Sequence, residues 1–425
     1  MNLGLLNNIK RNSLLRKIIA FLAALRFGFP GRHLVVIGVT GTTGKTTTAF
    51  IIKNILESNG IKTGLISTAG YFIDDEVIYP KAHVPATTPD PFILHSLLRK
   101  MVRKRFKVVV IEVSSFGLMY ERVYGLNFSA AVLTNISYNH HITMHGNMNN
   151  YVLEKLKLFR NLKRTSVAVL PKESEYFDLF VKNTEAKILS FGFDKNCDLW
   201  IYIKEITKTE NKVVLHYNDD AFSISLPLPG LFNILNCLAA IGTVSNFSLT
   251  TEKLKKGLEN LKNIPGRLEY IKGKQPFSII VDKANTPAAF CGIIDFIKIL
   301  NPKRKIAVYG NFGESPLQER EKLAEIATNF FDFTIITEDD PQEKSPQKSI
   351  DDFLNFVKEK EISSSKYLYF LDRKQAILEA IKKAEPGDLI VILGRGNEQT
   401  MDYGVEVKPF DDREVTREVL KELGY

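Results

Sequence analysis

The stretch VIGVTGTTGKTTTAFIIKNIL, Val36 to Leu56, decides the fold. An apolar run leads into a turn punctuated by glycines, and the chain then turns helical, so a buried strand passes through a tight loop into a helix. Gly41 and Gly44 let backbone amides converge on one point, Lys45 adds a positive charge, and Thr46 offers a hydroxyl that can ligate Mg²⁺. The helix that follows points its positive dipole end inward. Such a loop holds phosphate, and Gly41, Thr42, Thr43, Gly44, Lys45, Thr46 and Thr47 are the expected nucleotide-binding residues. Val39 stands where the usual pattern has its first glycine. By itself the loop implies ATP or GTP and leaves open what is phosphorylated.

Around the loop, short apolar strands alternate with amphipathic stretches: HLVVIGV, IKTGLIS, FKVVVIEV and AAVLTNI. Alternation of this kind reads as a parallel sheet covered by helices. After NIPGRLEY, a Pro-Gly turn and linker, a second series follows: SIIVDKA, KIAVYGNFG, FTIITEDD, YLYFLD and DLIVILGRG. Each ends in a polar or glycine-rich tip, the place where open parallel sheets carry their sites. The fold class is α/β, with a P-loop-type parallel-sheet ATPase domain over 34–262 and a Rossmann-like C-terminal domain over 263–425. Residues 1–33 form a separate segment in which LLRKIIAFLAALRF is expected to be a helix packed on the body. An interfacial helix with Lys10, Arg11, Arg16 and Lys17 toward lipid headgroups is the alternative reading.

The whole chain of 425 residues is 44% hydrophobic and 25% charged, an ordinary globular composition with no stretch long enough to span a bilayer. Cys197, Cys237 and Cys291 fall in no metal-ligand or CxxC spacing, which fits a reducing, cytoplasmic setting. The formal charge of +9 is spread along the chain without an arginine-rich arm or an aromatic RNA-binding motif. Anionic small substrates are expected rather than nucleic acid, and a monomer is expected.

Several further motifs, in this order, resemble the Mur ligase superfamily, most closely its MurE branch, the UDP-N-acetylmuramoyl-dipeptide:amino-acid ligases. They are TGTTGKTT, ATTPDP (86–91), IEVSSFGL (111–118), ERV ending in Val123, TNISYNHHITMHG (134–146), YVLEK ending in Lys155, PGLFNILN ending in Asn236, PGRLEY around Arg267, VDKANTP ending in Pro287, and GRGNEQ ending in Gln399. The resemblance runs from about Leu34 to the C-terminus. It implies an ATP-dependent carboxylate–amine ligase that makes an acyl phosphate and lets an amine attack it, with a muramoyl-peptide or related carboxylate donor and an amino-acid acceptor.

The resemblance also implies roles for single residues. Glu112 and Thr46 would serve the Mg²⁺ between the ATP phosphates, and His140 a second ion. Lys155 would react with CO₂ to give a carbamate that helps organise that second ion; read without the resemblance it is a solvated lysine on the helix MNNYVLEKLKLFRNL. Asn233 and Asn236 would approach the adenine, although N-x-x-N near a helix start is otherwise a capping pattern. Arg267 and Asp282 would close on the phosphates and ribose, while Thr87, Thr88, Ser114 and Arg122 would hold the donor. A threonine pair before proline is otherwise a turn, and SS after a strand a helix cap. Lys45, Glu112, His140, Lys155 and Arg267 make the expected catalytic set.

This sequence departs from the pattern at several points. Only 33 residues precede the phosphate-loop strand, where the branch carries a UDP-binding domain, so the expectation is a member without that domain. NHHITMHG is one residue longer than the family's D-H-L-D-x-H-G, which leaves His140 and His141 both candidates. DKANTP replaces a tyrosine and a histidine with Lys283 and Asn285, and GRGNE a histidine with Asn397. TEDDPQEKS lacks the arginine of D-N-P-R. Its acidic pair Asp339 and Asp340 would suit a cationic acceptor, as in the lysine-adding form, with Arg320 and Glu398 completing the substrate contacts. Two rival readings stand beside this one. A folylpolyglutamate-synthase-like ligase is opposed by EVSSFGL and TTPDP, and a degenerate ATP-binding regulatory module is opposed by the retained Lys45, Glu112, His140, Lys155 and Arg267.

Overall fold

The computed structural model describes residues 12–79, 87–138, 141–217, 220–342 and 344–425. Two compact units emerge: the first holds the chain through Ser137, Ile142–Leu228 and Phe232–Lys262, the second Tyr138–His141, Pro229–Leu231 and Asn263–Tyr425.

In the first unit the strands are β1 (Val35–Thr40), β2 (Thr63–Ser67), β3 (Gly70–Ile73), β4 (Glu76–Ile78), β5 (Val108–Glu112), β6 (Phe128–Leu133), β7 (Val167–Pro171), β8 (Lys187–Gly192), β9 (Leu199–Ile206), β10 (Asn211–Tyr217) and β11 (Asp220–Leu226). Among the described residues they form one sheet, β11-β10-β9-β8-β7-β6-β1-β5-β2-β3-β4. Its centre, from β9 to β2, is parallel, and the outer strands on each side are antiparallel. The middle strands are nearly continuous runs of Val, Ile and Ala because both faces are covered. From β1 the chain goes to one side of the sheet first and later to the other. The loop after β1 therefore lies at the point where strand order reverses, with a crevice beside it. Register fixes the neighbours of that loop: Val39 pairs with Glu112 of β5, and Thr40 with Leu133 of β6.

Helices cover the sheet as their apolar spacing requires. In the helix Met148–Arg160, capped by Asn147, the buried residues are Tyr151, Val152, Lys155, Leu156, Leu158 and Phe159. Lys155 thus lies on the core-facing stripe, contrary to the reading as a solvated lysine. The helix Ser13–Arg26, capped by Asn12, packs against the helix Pro91–Arg103.

In the second unit β12 (Glu269–Tyr270), β13 (Ser278–Asp282), β14 (Lys305–Phe312), β15 (Phe333–Asp339), β16 (Tyr367–Tyr369) and β17 (Leu389–Leu393) are ordered β12-β13-β17-β14-β15-β16. All neighbours are parallel except β12 and β13. Ile279, Val281, Ile306, Val308, Ile335, Ile390 and Ile392 build a core with the helix Arg373–Lys383. The carboxyl ends of β13, β15 and β17 bring Asp282, Asp339 and the loop from Gly394 to one edge of the sheet. The α/β class expected from the strand series is the observed one. Among the described residues no helix is long and apolar enough to cross a membrane.

Candidate active site

The phosphate loop is held in shape by the segment after β6. The Thr42 amide donates to Asn135 O at 3.0 Å and the Thr43 amide to Asn135 Oδ1 at 3.0 Å, while Thr134 Oγ1 donates to Thr43 O at 2.6 Å. Gly41 has φ +148°, and a Cβ there would lie 1.9 Å from Thr134 Oγ1 and 3.1 Å from Asn135 backbone atoms. Gly44, in the left-handed region at φ +79°, starts the helix Lys45–Ser58, and a Cβ on it would lie 2.3 Å from Asn236 Oδ1. The first helical bond is Thr48 N–H to Gly44 O at 2.9 Å, so the amides of Lys45, Thr46 and Thr47 lie at the positive end of the helix. Lys45 Nζ donates to Gly41 O and Thr42 O at 3.0 and 2.9 Å. Asn236 accepts from Thr48 Oγ1 at 3.3 Å and donates to Asn233 Oδ1 at 3.2 Å. The asparagine pair is thus buried against this loop.

Beside the loop, Glu112 is wholly buried. Among the described residues its carboxylate accepts from Thr68 alone, from the amide at 3.3 Å and the hydroxyl at 3.1 Å, and makes no ion pair. Thr68 Oγ1 also meets Thr87 Oγ1 at 2.8 Å. Thr88 has 0% exposure; its hydroxyl meets Glu112 O at 2.9 Å and the Ser114 amide at 2.9 Å. Ser114 Oγ in turn accepts from the Gly117 amide at 2.9 Å and caps the helix Ser115–Met119. Thr88 thus bridges the end of β5 to the turn after it, and Ser114 caps the helix that follows. Arg122 donates to Thr88 O at 3.0 Å and pairs with Asp90 at 3.0 Å.

Lys155 Nζ donates to Gly41 O at 2.8 Å and lies 4.4 Å from the centroid of the Tyr151 ring. Burial lowers its pKa to about 7, which gives an appreciable neutral-amine fraction near neutral pH. Tyr151 OH meets Thr42 Oγ1 at 3.1 Å, so both ends of the Y-x-x-x-K pair touch the phosphate loop. His140 lies outside the described residues, as does the side chain of His141.

The site also contains residues that the sequence reading passed over. His145 is buried, stacks on Phe116 with ring centroids 5.0 Å apart, and has Nε2 3.0 Å from Ser115 Oγ. With Ser115 only 3% exposed, the contact ties two helices together and offers no accessible nucleophile. Thr134 and Asn135 stood only inside longer quoted stretches, with no role of their own. Their link to the loop follows from the β1–β6 pairing, which is not local in sequence.

In the second unit the strand-end loops close on one another. Asp282 accepts from the Leu268 and Ala284 amides at 2.7 and 2.8 Å, which fixes the turn carrying Arg267. Burial pushes its pKa up, opposed by the Arg267 charge. A Cβ on Gly266 would lie 2.1 Å from Asn397 N, so the PGR and GRGN turns touch backbone to backbone. Lys283 pairs with Glu398. Burial would raise Glu398, but Lys283 and then Arg395 outweigh it and hold that carboxyl low.

Arg395, fully buried, donates from one nitrogen to Asp339 at 2.9 Å and Asp340 at 2.8 Å and lies 3.6 Å from Glu398. The acidic pair read as bait for a cationic acceptor is therefore already engaged inside the protein. Next to it is a pocket lined by Asn311, Arg320, Asp339, Lys344, Lys348 and Ser349. Asn311 is 3% exposed and donates to Ser349 Oγ at 3.1 Å, and its Oδ1 has no partner among the described residues. Arg320 pairs with Asp352 at 2.9 Å.

Comparison with known proteins identifies the family. The Mur ligase middle domain model matches residues 39–244 and the Mur ligase glutamate ligase domain model residues 266–396. The UDP-N-acetylmuramoyl-L-alanyl-D-glutamate–2,6-diaminopimelate ligase of Clostridium perfringens is 34% identical over 414 residues, covering 96% of this chain and 82% of its own length. Its namesake in Caldanaerobacter subterraneus is 32% identical over 409 residues, with the same coverage of 96% and 82%. A solved structure of a ligase with that name superposes with a TM-score of 0.65 at 24% identity, over 96% of this chain and 84% of the other. Mycobacterium tuberculosis folylpolyglutamate synthase with ADP and AMPPCP gives 0.73 at 18% identity, over 92% and 95%. At such identities the two structures speak for the fold alone.

Proposed function

Given that the chain belongs to the Mur ligase family, we propose that it extends a muramoyl dipeptide by one diamino acid, with a carbamate on Lys155 as part of its catalytic centre. The enzyme is an ATP-dependent carboxylate–amine ligase. The γ-phosphoryl group passes to a donor carboxylate to give an acyl phosphate and ADP; the acceptor amine attacks the acyl carbon and phosphate leaves as the amide forms. Lys45 and the helix N-terminus hold the phosphates and offset the negative charge on the transferring group.

The single observation that carries the proposal is the buried Lys155 amine, 2.8 Å from Gly41 O of the phosphate loop. Only a neutral amine adds CO₂, and burial favours that form. Carbamylation would turn a buried cation beside a phosphate site into an anion able to share a metal. The residues present fit Mg²⁺: a buried Glu112 carboxylate without an ion-pair partner among the described residues needs a cation, and hard oxygen donors suit this one. Glu112 and Thr46 would hold one ion and the Lys155 carbamate a second, supplying charge neutralisation between phosphates and donor. Bicarbonate dependence of phosphate release tests this part; turnover unchanged in CO₂-free buffer would remove the carbamate.

For the acceptor, the pocket in the second unit presents the cations Arg320, Lys344 and Lys348 and the Asn311 carbonyl, beside an Asp339 carboxylate already paired with Arg395. Such a lining favours an acceptor whose side chain ends in a carboxylate beside its ammonium, as in diaminopimelate, over lysine, whose side chain ends in an ammonium alone. That choice revises the lysine-type reading of the acidic pair, because Arg395 already engages Asp339 and Asp340. The decisive assay offers UDP-muramoyl-dipeptide with diaminopimelate, with lysine, or with neither, and weighs the product. A lysine tripeptide formed in preference would refute the diamino-diacid assignment.

A further inference from the structure

The helix Ser13–Arg26 is packed the wrong way round for a helix whose only task is to cover the body. Its buried residues are Ala20, Ala23, Ala24 and Arg16. Its large apolar residues point outward: Leu14 is 67% exposed, Ile18 45%, Phe21 51%, Leu22 49% and Leu25 53%. At intervals of 4, 3, 1 and 3 they form one continuous ridge along the helix. A contiguous apolar ridge of this kind on a protein surface marks an interaction site.

The inward face makes the outward one more telling. Alanines let the helix lie close to the helix Pro91–Arg103, and Arg16 anchors it by donating to Met119 O at 2.7 Å with its guanidinium 4.6 Å from the Tyr120 ring centroid. The helix is thus held firmly in place by small and polar contacts while its hydrophobic side chains remain available.

Charge selects the occupant. Residues 1–33 contain no Asp or Glu, and they carry Lys10, Arg11, Arg16, Lys17, Arg26 and Arg32. Arg26 and Arg32 are exposed at the C-terminal end of the ridge, and Lys17 is half-buried beside it. At the opposite end the Glu121 carboxylate accepts from Ser13 Oγ at 3.0 Å. An apolar ridge flanked by cations, on a helix of 14 residues, has the form of a segment that lies in the interface of a bilayer. Its basic groups would be drawn to anionic headgroups and weakened in this by salt.

We propose that this helix docks the protein reversibly on an anionic membrane surface, so that the ligase works next to the bilayer. The proposal is independent of which acceptor the enzyme uses. The test is flotation of the full chain with vesicles of phosphatidylglycerol and phosphatidylcholine, against vesicles of phosphatidylcholine alone, at low and high salt. The comparison protein is the triple variant Ile18→Gln, Leu22→Gln, Leu25→Gln, which changes only exposed positions and leaves the ligase residues untouched. The parent should float with anionic vesicles, release as salt rises, and lose about tenfold or more in vesicle affinity in the triple variant, while ATP turnover without vesicles stays equal in both proteins. Failure of the parent to float, or equal flotation of the variant, overturns the proposal. So does a concentration-dependent dimer seen by sedimentation that the triple variant abolishes, since the ridge would then belong to a second copy of the chain. Absence of ATP turnover in the parent itself would count against the ligase assignment and leave the flotation result standing, so the two failures are distinguishable.

Discussion

Two residues carry most of the weight at the smallest scale. Lys155 is the only cation placed on the buried stripe of its helix, and such a group tolerates little change. Lys155→Ala should lower turnover by about 10²-fold or more, comparable to losing one preorganised charge stabiliser, while ATP still binds; full activity in a steady-state phosphate assay would count against its catalytic place. Gly41 has both a backbone that side chains rarely adopt and no room, with Thr134 Oγ1 1.9 Å from where a Cβ would sit. Gly41→Ala should therefore weaken nucleotide binding by about tenfold, or ~1.4 kcal/mol, read by calorimetric titration.

Between elements, two buried polar groups make predictions of opposite kind. Arg373 opens the helix Arg373–Lys383 and binds Asp412, the first residue of the helix Asp412–Glu422, at 2.7 and 2.8 Å, with both side chains at 0% exposure. Arg373→Met leaves Asp412 charged and buried, and should cost ~3–5 kcal/mol of stability in a denaturant titration. His95 lies on the buried face of Pro91–Arg103, and neither of its ring nitrogens has a partner among the described residues. Burial lowers its pKa from 6.5 to about 4. The unfolded chain then binds a proton that the folded one refuses, so this contribution is complete above pH 6.5 and is lost as pH falls toward about 4. His95→Leu should flatten the fall in stability across that window; an unchanged pH slope would show that other groups govern it.

For the whole molecule, two units with separate cores imply two unfolding events. Scanning calorimetry should resolve two transitions, and Arg373→Met should lower one while leaving the other in place. A single transition shifted as a whole would mean that the units unfold as one.

Much of this was legible in the chain itself, for reasons that are local. A phosphate loop is a contiguous stretch, so Gly41 to Thr47 could be read directly, and strands buried on both faces announce themselves as apolar runs. The outer strands β9 to β11 were not singled out, because their half-exposed faces dilute the apolar signal. The sequence determined the α/β class, the loop and the ligase chemistry, each coded by neighbours along the chain. Tertiary structure decided that Lys155 is buried, that Thr134 and Asn135 brace the phosphate loop, that Arg395 neutralises the acidic pair, and that the first helix turns its large side chains outward. Those outcomes depend on which strands and helices become neighbours in space; Arg395 and Asp339 are 56 positions apart and meet only because β15 and β17 end at the same edge of one sheet.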